Sequence, residues 1–171
     1  MEFSELVRKR KSVRQFAPTE ISDETLLEIC EAGRLAPSGC NKQNREFIII
    51  RDRVMLDELG QKVQPGFSNA AAAIAIVMNP EPTRYGSYWI EDASAACQNM
   101  LLAIVDAGYD SVWVEGTLLM SEEYFKEKLG IPDEKRLYIM LPIGKAKEKV
   151  SGPKKDALED IVYFEKFGQR K

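Results

Sequence analysis

Residues 90–107, Ile-Glu-Asp-Ala-Ser-Ala-Ala-Cys-Gln-Asn-Met-Leu-Leu-Ala-Ile-Val-Asp-Ala, are helical in propensity and apolar almost all round, with Gly108 placed to stop the helix. A helix of this kind has to be covered on nearly every side. A chain of 171 residues has few other elements with which to do so, and coverage is easier if a second copy of the chain contributes.

The elements around this helix alternate irregularly. Ser4 can cap a short helix running to about Arg10, with Glu5 in its first turn and cations at its end, as the helix dipole favours. A second helix is predicted from Ser22, with Leu26, Ile29, Cys30 and Gly33 on one face, ending before Pro37. Residues 47–50 and 73–78 are short, continuous apolar runs of the kind that form strands covered on both faces. Residues 111–114 read as a strand. Ser121 caps a helix to Leu129 that Gly130-Ile131-Pro132 ends, and residues 138–143 form the last strong strand. Beyond Gly144 the chain is lysine-rich, and only Leu158, Ile161, Val162, Tyr163, Phe164 and Phe167 suggest that the tail packs somewhere. With no repeat and no long linker, this pattern predicts one layered α+β domain over residues 1–171.

Composition narrows the chemistry. A net charge of −3 argues against a surface that seeks nucleic acid or anionic membrane as a whole, and suits a small anionic ligand better. The cysteines, Cys30, Cys40 and Cys97, lie far apart and form neither a disulfide framework nor a metal motif. No metal site is predicted. The polar N-terminus and the lack of any stretch near the roughly 18 apolar residues of a membrane span lead us to expect a cytoplasmic protein with no membrane partner. There is no histidine, which removes the Ser-His-Asp triad and the Cys-His pair. Hard chemistry is then expected from a cofactor rather than from a catalytic side chain.

Two segments suggest a phosphorylated cofactor. Arg8, Lys9, Arg10, Lys11 and Arg14 crowd cations around Ser12, as a bound phosphate requires, and Pro37-Ser38-Gly39-Cys40-Asn41 is a loop of small and amide residues able to approach a flat ligand. Neither the dinucleotide G-x-G-x-x-G nor the P-loop signature occurs. Taken in order, Arg10-Lys11-Ser12-Val13-Arg14-Gln15-Phe16, the helix ending Ala36-Pro37-Ser38-Gly39-Cys40-Asn41-Lys42-Gln43, the helix from Asp92 to Leu102, the segment from Gly108 to Gly116, Leu141-Pro142-Ile143-Gly144, and Pro153-Lys154-Lys155 with its tail resemble the short form of the nitroreductase family over nearly the whole chain.

The resemblance implies an α+β sandwich with a mixed, mainly antiparallel sheet, in an intertwined homodimer that holds FMN at the subunit interface. It implies an enzyme that uses NADH or NADPH to reduce nitroaromatics, quinones or related electrophiles by a ping-pong cycle through flavin N5. Arg10 and Ser12, with Lys11, are carried over to the FMN phosphate, and Arg14 to the pyrimidine edge. A cation at that edge favours the reduced flavin. Pro37, Ser38, Gly39 and Asn41 would come from the partner subunit, the backbone at Glu115 and Gly116 would face N5, and Lys154 matches a family arginine near the phosphate. Two features depart from the family pattern. Asn44-Arg45 stands where many relatives have Pro-Trp, and the segment from Asn79 to Trp89 is short, leaving Tyr88 and Trp89 to stack on substrate or to pack at an interface. Other readings are a specialised relative, either a reductive dehalogenase or a flavin-cleaving enzyme, and a flavin-binding or regulatory protein with little turnover.

Overall fold

The computed structural model describes residues 2–63 and 65–170. The chain runs α1 (Phe3–Lys9), β1 (Phe16–Ala17), α2 (Asp23–Arg34), β2 (Arg45–Ile50), α3 (Arg53–Lys62), β3 (Ala72–Met78), α4 (Trp89–Asp106), β4 (Asp110–Ser111), α5 (Gly116–Leu119), α6 (Glu122–Leu129), β5 (Arg136–Ala146) and α7 (Leu158–Ile161).

Strand β3 has no polar side chain, and all of it is buried. Because successive side chains of a strand point to opposite faces, Ala73, Ala75 and Val77 enter one apolar cluster while Ala72, Ile74, Ile76 and Met78 enter another. The first cluster is closed by Leu56 and Leu59 of α3, Leu118 of α5 and Phe125 of α6. The second is closed by Leu26 and Ile29 of α2 and by Ala93, Cys97, Met100, Leu101 and Ile104 of α4. The result is a helix–sheet–helix sandwich. Its sheet order is β1-β5-β3-β2, with β4 also on β5, and every pairing between these strands is antiparallel. Among the described residues, parallel pairing is confined to the isolated bridges Ser12–Ser111 and Gln15–Ser68.

A Cβ on Gly33, in the last turn of α2, would lie 2.7 Å from Met100 Sδ and 2.9 Å from Phe47 Cζ, so contact with α4 and β2 requires a glycine there. Helix α4 itself buries Ala93, Ala96, Cys97, Met100, Leu101 and Ile104, yet Ile90 stays exposed and Leu102 and Val105 are only half-buried. The chain therefore covers much of this helix, and not all of it.

Local structure departs from the sequence reading in several places. Ser4 lies inside α1, whose N-cap is Glu2, and Ser121 precedes α6 without a side-chain cap bond. Ser22 does cap α2, accepting from the Thr25 amide at 3.2 Å. Residues 111–114 are not a continuous strand: only Asp110–Ser111 pairs as one, after which Val114 makes an isolated bridge to Met140. Helix α3, which the sequence reading passed over, is capped by Asp52 accepting from the Met55 amide at 2.8 Å. The tail does not pack on the core. Residues 151–162 are exposed throughout, and Leu158, Ile161 and Phe167 present apolar surface to solvent. Among the described residues, no helix is long and apolar enough to cross a membrane.

Candidate functional site

The basic N-terminal segment is held as a strip on the sheet's end. Val13 donates its amide to the Ser111 carbonyl at 2.9 Å, and Phe16 donates to the Ser68 carbonyl at 3.1 Å, while Ser68 donates back to Arg14 at 3.0 Å. Val13 and Phe16 are buried in the core, while Ser12 is exposed and Arg10 and Arg14 are half-buried at its edge.

Their outward ends line a cleft of about 700 Å³ whose other wall is the returning segment Val150, Ser151, Gly152, Pro153 and Lys155. Arg8, Arg10, Lys11, Arg14 and Lys155 bring five cations to this cleft, and its lining contains no carboxylate. None of Arg10, Lys11 and Arg14 has an ion-pair partner among the described residues. Lys154 sits in the same segment, though its neighbour Lys155 is the lysine on the wall. Uncompensated cations around two hydroxyls, Ser12 and Ser151, make a place for an anion.

Arg14 also belongs to a second, smaller cleft of about 440 Å³, with Pro65, Trp113, Val114, Glu115, Gly116, Thr117 and Met120. It is the hinge between the two spaces. The second cleft is built where the chain leaves the Val114–Met140 bridge, whose reciprocal bonds are both 3.0 Å, and turns at Glu115 into α5. The Glu115 carboxylate accepts from the Trp113 indole at 2.8 Å, and Glu115 and Gly116 both line the cleft. A Cβ built on Gly116, or on Gly152 in the first cleft, would meet no protein atom within 4 Å.

The loop at residues 37–43 lines neither cleft of its own chain. It is instead fastened beside the first turn of α4. Gly39 donates its amide to Asp92 Oδ1 at 2.7 Å, Asn44 Nδ2 donates to Asp92 Oδ2 at 2.9 Å, and Ser38 Oγ donates to the Lys42 carbonyl at 2.7 Å. Arg45 donates to the carbonyls of Gly33, Ala36 and Pro37, each at 3.1 Å. The Asn44-Arg45 pair is therefore the loop's scaffold. Sequence reasoning did not find Asp92 as a site residue, because its partners lie far from it along the chain and, beside Glu91, it reads as an ordinary first-turn acid of the helix. Tyr88 and Trp89 are used internally: Tyr88 packs on Gly39, and Trp89 lies edge-to-face on Tyr138 at 5.2 Å with Arg136 5.1 Å from its ring.

Burial pushes the Tyr138 phenol up from 10.0 to about 12, and the adjacent Glu115 carboxylate adds to the rise. Burial also pushes the Cys30 thiol up from 9.0 to about 11. Cys97 moves the same way, because burial and the negative Glu115 outweigh the nearby Arg10. The fold prefers the neutral, protonated form of all three; the stability contributed by Cys30 and Tyr138 is complete below pH 9.0 and is lost as the pH rises through about 11 and about 12 respectively. Melting temperature should decline from pH 9 upward, and Tyr138→Phe should flatten only the upper part of that decline. An unchanged upper limb in that variant would remove Tyr138 from this account.

The layered α+β fold, with an acid-free cationic cleft joined through one arginine to a backbone-lined cleft, defines a protein equipped for an elongated ligand with an anionic end. Residues 7–82 and 63–145 match the model of the nitroreductase family, and the chain belongs to that family. An Archaeoglobus fulgidus protein provisionally named NADH dehydrogenase/NAD(P)H nitroreductase is 35% identical over 149 residues, which cover 84% of this chain and 85% of that protein. Among solved structures, a nitroreductase family protein from Clostridium novyi NT is 29% identical with a TM-score of 0.78, covering 99% of this chain and 97% of that one. An FMN-dependent nitroreductase from Clostridium difficile R20291 is 28% identical with a TM-score of 0.82, covering 95% of this chain and 98% of the other.

Proposed function

We propose that this chain is a single-domain, FMN-dependent oxidoreductase that works as a homodimer in the cytoplasm, oxidising NADH or NADPH and reducing nitroaromatics, quinones or related electrophiles. The observation that carries this reading is the continuity of the two clefts through Arg14: an anion site at one end, and at the other a backbone edge with open space above Gly116. FMN fits that donor set, because its phosphate calls for the cations and hydroxyls and its ring system for a flat, backbone-lined slot.

Arg10, Lys11 and Ser12 hold the phosphate, with Lys154 or Lys155 closing over it from the opposite wall. Arg14 sets a positive charge beside the ring system's pyrimidine edge. The Glu115 and Gly116 backbone fixes the reacting edge, with the Glu115 side chain held by the Trp113 indole. Pro37, Ser38, Gly39 and Asn41 complete the site of the partner subunit. When bound, FMN supplies the electron and hydride chemistry, so the chain needs no histidine and no catalytic acid or base of its own. Support for the homodimer comes from apolar surface that the chain leaves open: Phe3 and Val7 of α1, Ile90 of α4, and Leu158, Ile161 and Phe167 of the tail. Such surface on several separate elements suits an interface that draws on all of them.

Purified protein should carry FMN bands in its absorbance spectrum and oxidise NADH or NADPH with a quinone as acceptor. Double-reciprocal plots for the two substrates should be parallel, as for reactants that take turns at one site. Intersecting lines, or a protein that binds FMN yet passes electrons to no quinone or nitroaromatic, would favour a flavin-binding protein with little turnover.

A further inference from the structure

The first turn of α4 grips the loop at residues 37–43 in a way that packing alone does not require. Asp92 is 4% exposed, and its two carboxylate oxygens each accept one bond from this loop and its exit, from the Gly39 amide and from the Asn44 side chain. On the same helical turn Tyr88 lies against Gly39 so closely that a Cβ there would stand 2.9 Å from the tyrosine's Cβ and Cδ2. The two residues that follow, Cys40 and Asn41, hold φ of 55° and 53°, both in the left-handed region that non-glycine residues rarely adopt. Two such residues in succession do not persist unless their surroundings hold them.

We propose that Asp92 is a positioning residue for the cofactor. By fixing Gly39 on one side and Asn44 on the other, it keeps Cys40 and Asn41 in their unfavourable backbone conformation and so presents Ser38, Gly39 and Asn41 in the shape that closes over the flavin. Arg45 completes the bracket from the other end of the loop through its three carbonyl contacts. Charge matters here. A carboxylate offers acceptors only, which matches a backbone amide and a side-chain amide that both donate. An asparagine at position 92 keeps the acceptor facing Gly39 but puts an N–H toward Asn44, whose amide must turn over to meet it with its otherwise unpartnered Oδ1. The proposal rests on the reading that this loop meets FMN at the interface.

The test is made on the full chain loaded with FMN, comparing wild type with Asp92→Asn, Asp92→Ala, Asn44→Ala and Arg10→Ala. FMN release on dilution is followed by recovery of flavin fluorescence, and the geometry of the bound flavin by its visible circular dichroism. Asp92→Ala should release FMN roughly tenfold or more readily, with Asp92→Asn between it and wild type. The dichroic band should change in both. A structural role alone would lower the melting temperature and leave the dichroic band of the remaining loaded protein as in wild type, which overturns the proposal. If Asp92→Ala does not fold, Asn44→Ala decides, because it breaks the same bracket from the loop side: unchanged FMN release and an unchanged band again overturn the proposal. Arg10→Ala separates the two levels. If it weakens FMN while the Asp92 and Asn44 variants do not, only the proposal fails; if it also leaves FMN untouched, the assignment of the cleft fails with it.

Discussion

Arg10→Ala should lose FMN roughly 10- to 150-fold more readily than wild type, because it removes one charge-assisted hydrogen bond to phosphate worth about 1.5–3 kcal/mol. Its effect should stop there. Arg10 lines only the larger cleft, whereas Arg14 lines both, so Arg14→Ala should weaken binding and in addition lower the midpoint potential of whatever FMN remains. The reason is electrostatic: a positive charge beside the ring system stabilises the cofactor in its more negative state. Potentiometric titration of both variants separates the assignments. A midpoint that shifts in Arg10→Ala and stays fixed in Arg14→Ala would mean that the ring and phosphate ends have been exchanged.

Phe16→Ala should destabilise the protein by about 3–5 kcal/mol, the range for removing a large aromatic side chain from a core that cannot collapse around the gap. The Phe16 ring is fully buried and sits against Gly144, where a Cβ would lie 2.8 Å from its ring carbons. It fastens the short strand β1 to the end of β5 two residues after Arg14. The midpoint of urea unfolding should fall with little change in slope. A loss below about 1 kcal/mol would show that this end of the sheet repacks freely, and Arg14 could then no longer be regarded as rigidly placed.

Much of the fold was legible because local signals agreed with burial. Ser22 capped α2, the apolar run of β3 was a strand covered on both faces, and Gly130 ended α6 at a φ of 65°. Helix α3 was missed because its buried residues, Leu56, Leu59 and Gly60, are few and include a helix breaker. Residues 111–114 read as a strand, with the β-favouring run Val112-Trp113-Val114, yet Val112 and Val114 are buried by a chain that is already turning toward Glu115. At the site, the concentration of cations was visible in the sequence. Their lack of acidic partners was not, since it depends on residues 150–155 returning to form the far wall. The Asp92 bracket was invisible for the same reason: it joins residues 53 and 48 positions apart.

Gly116 and Gly152 stand where an added methyl group would touch nothing in the chain. Neither position is defended by the folding free energy. Random variants sorted only for expression or thermal resistance would accumulate alanine and serine at both, and would score as improved where helix propensity favours the change in α5. The loss would surface when the library was sorted for bound yellow colour, or for thermal resistance with FMN present. At these two positions, stability of the unloaded protein and ligand occupancy select for different residues.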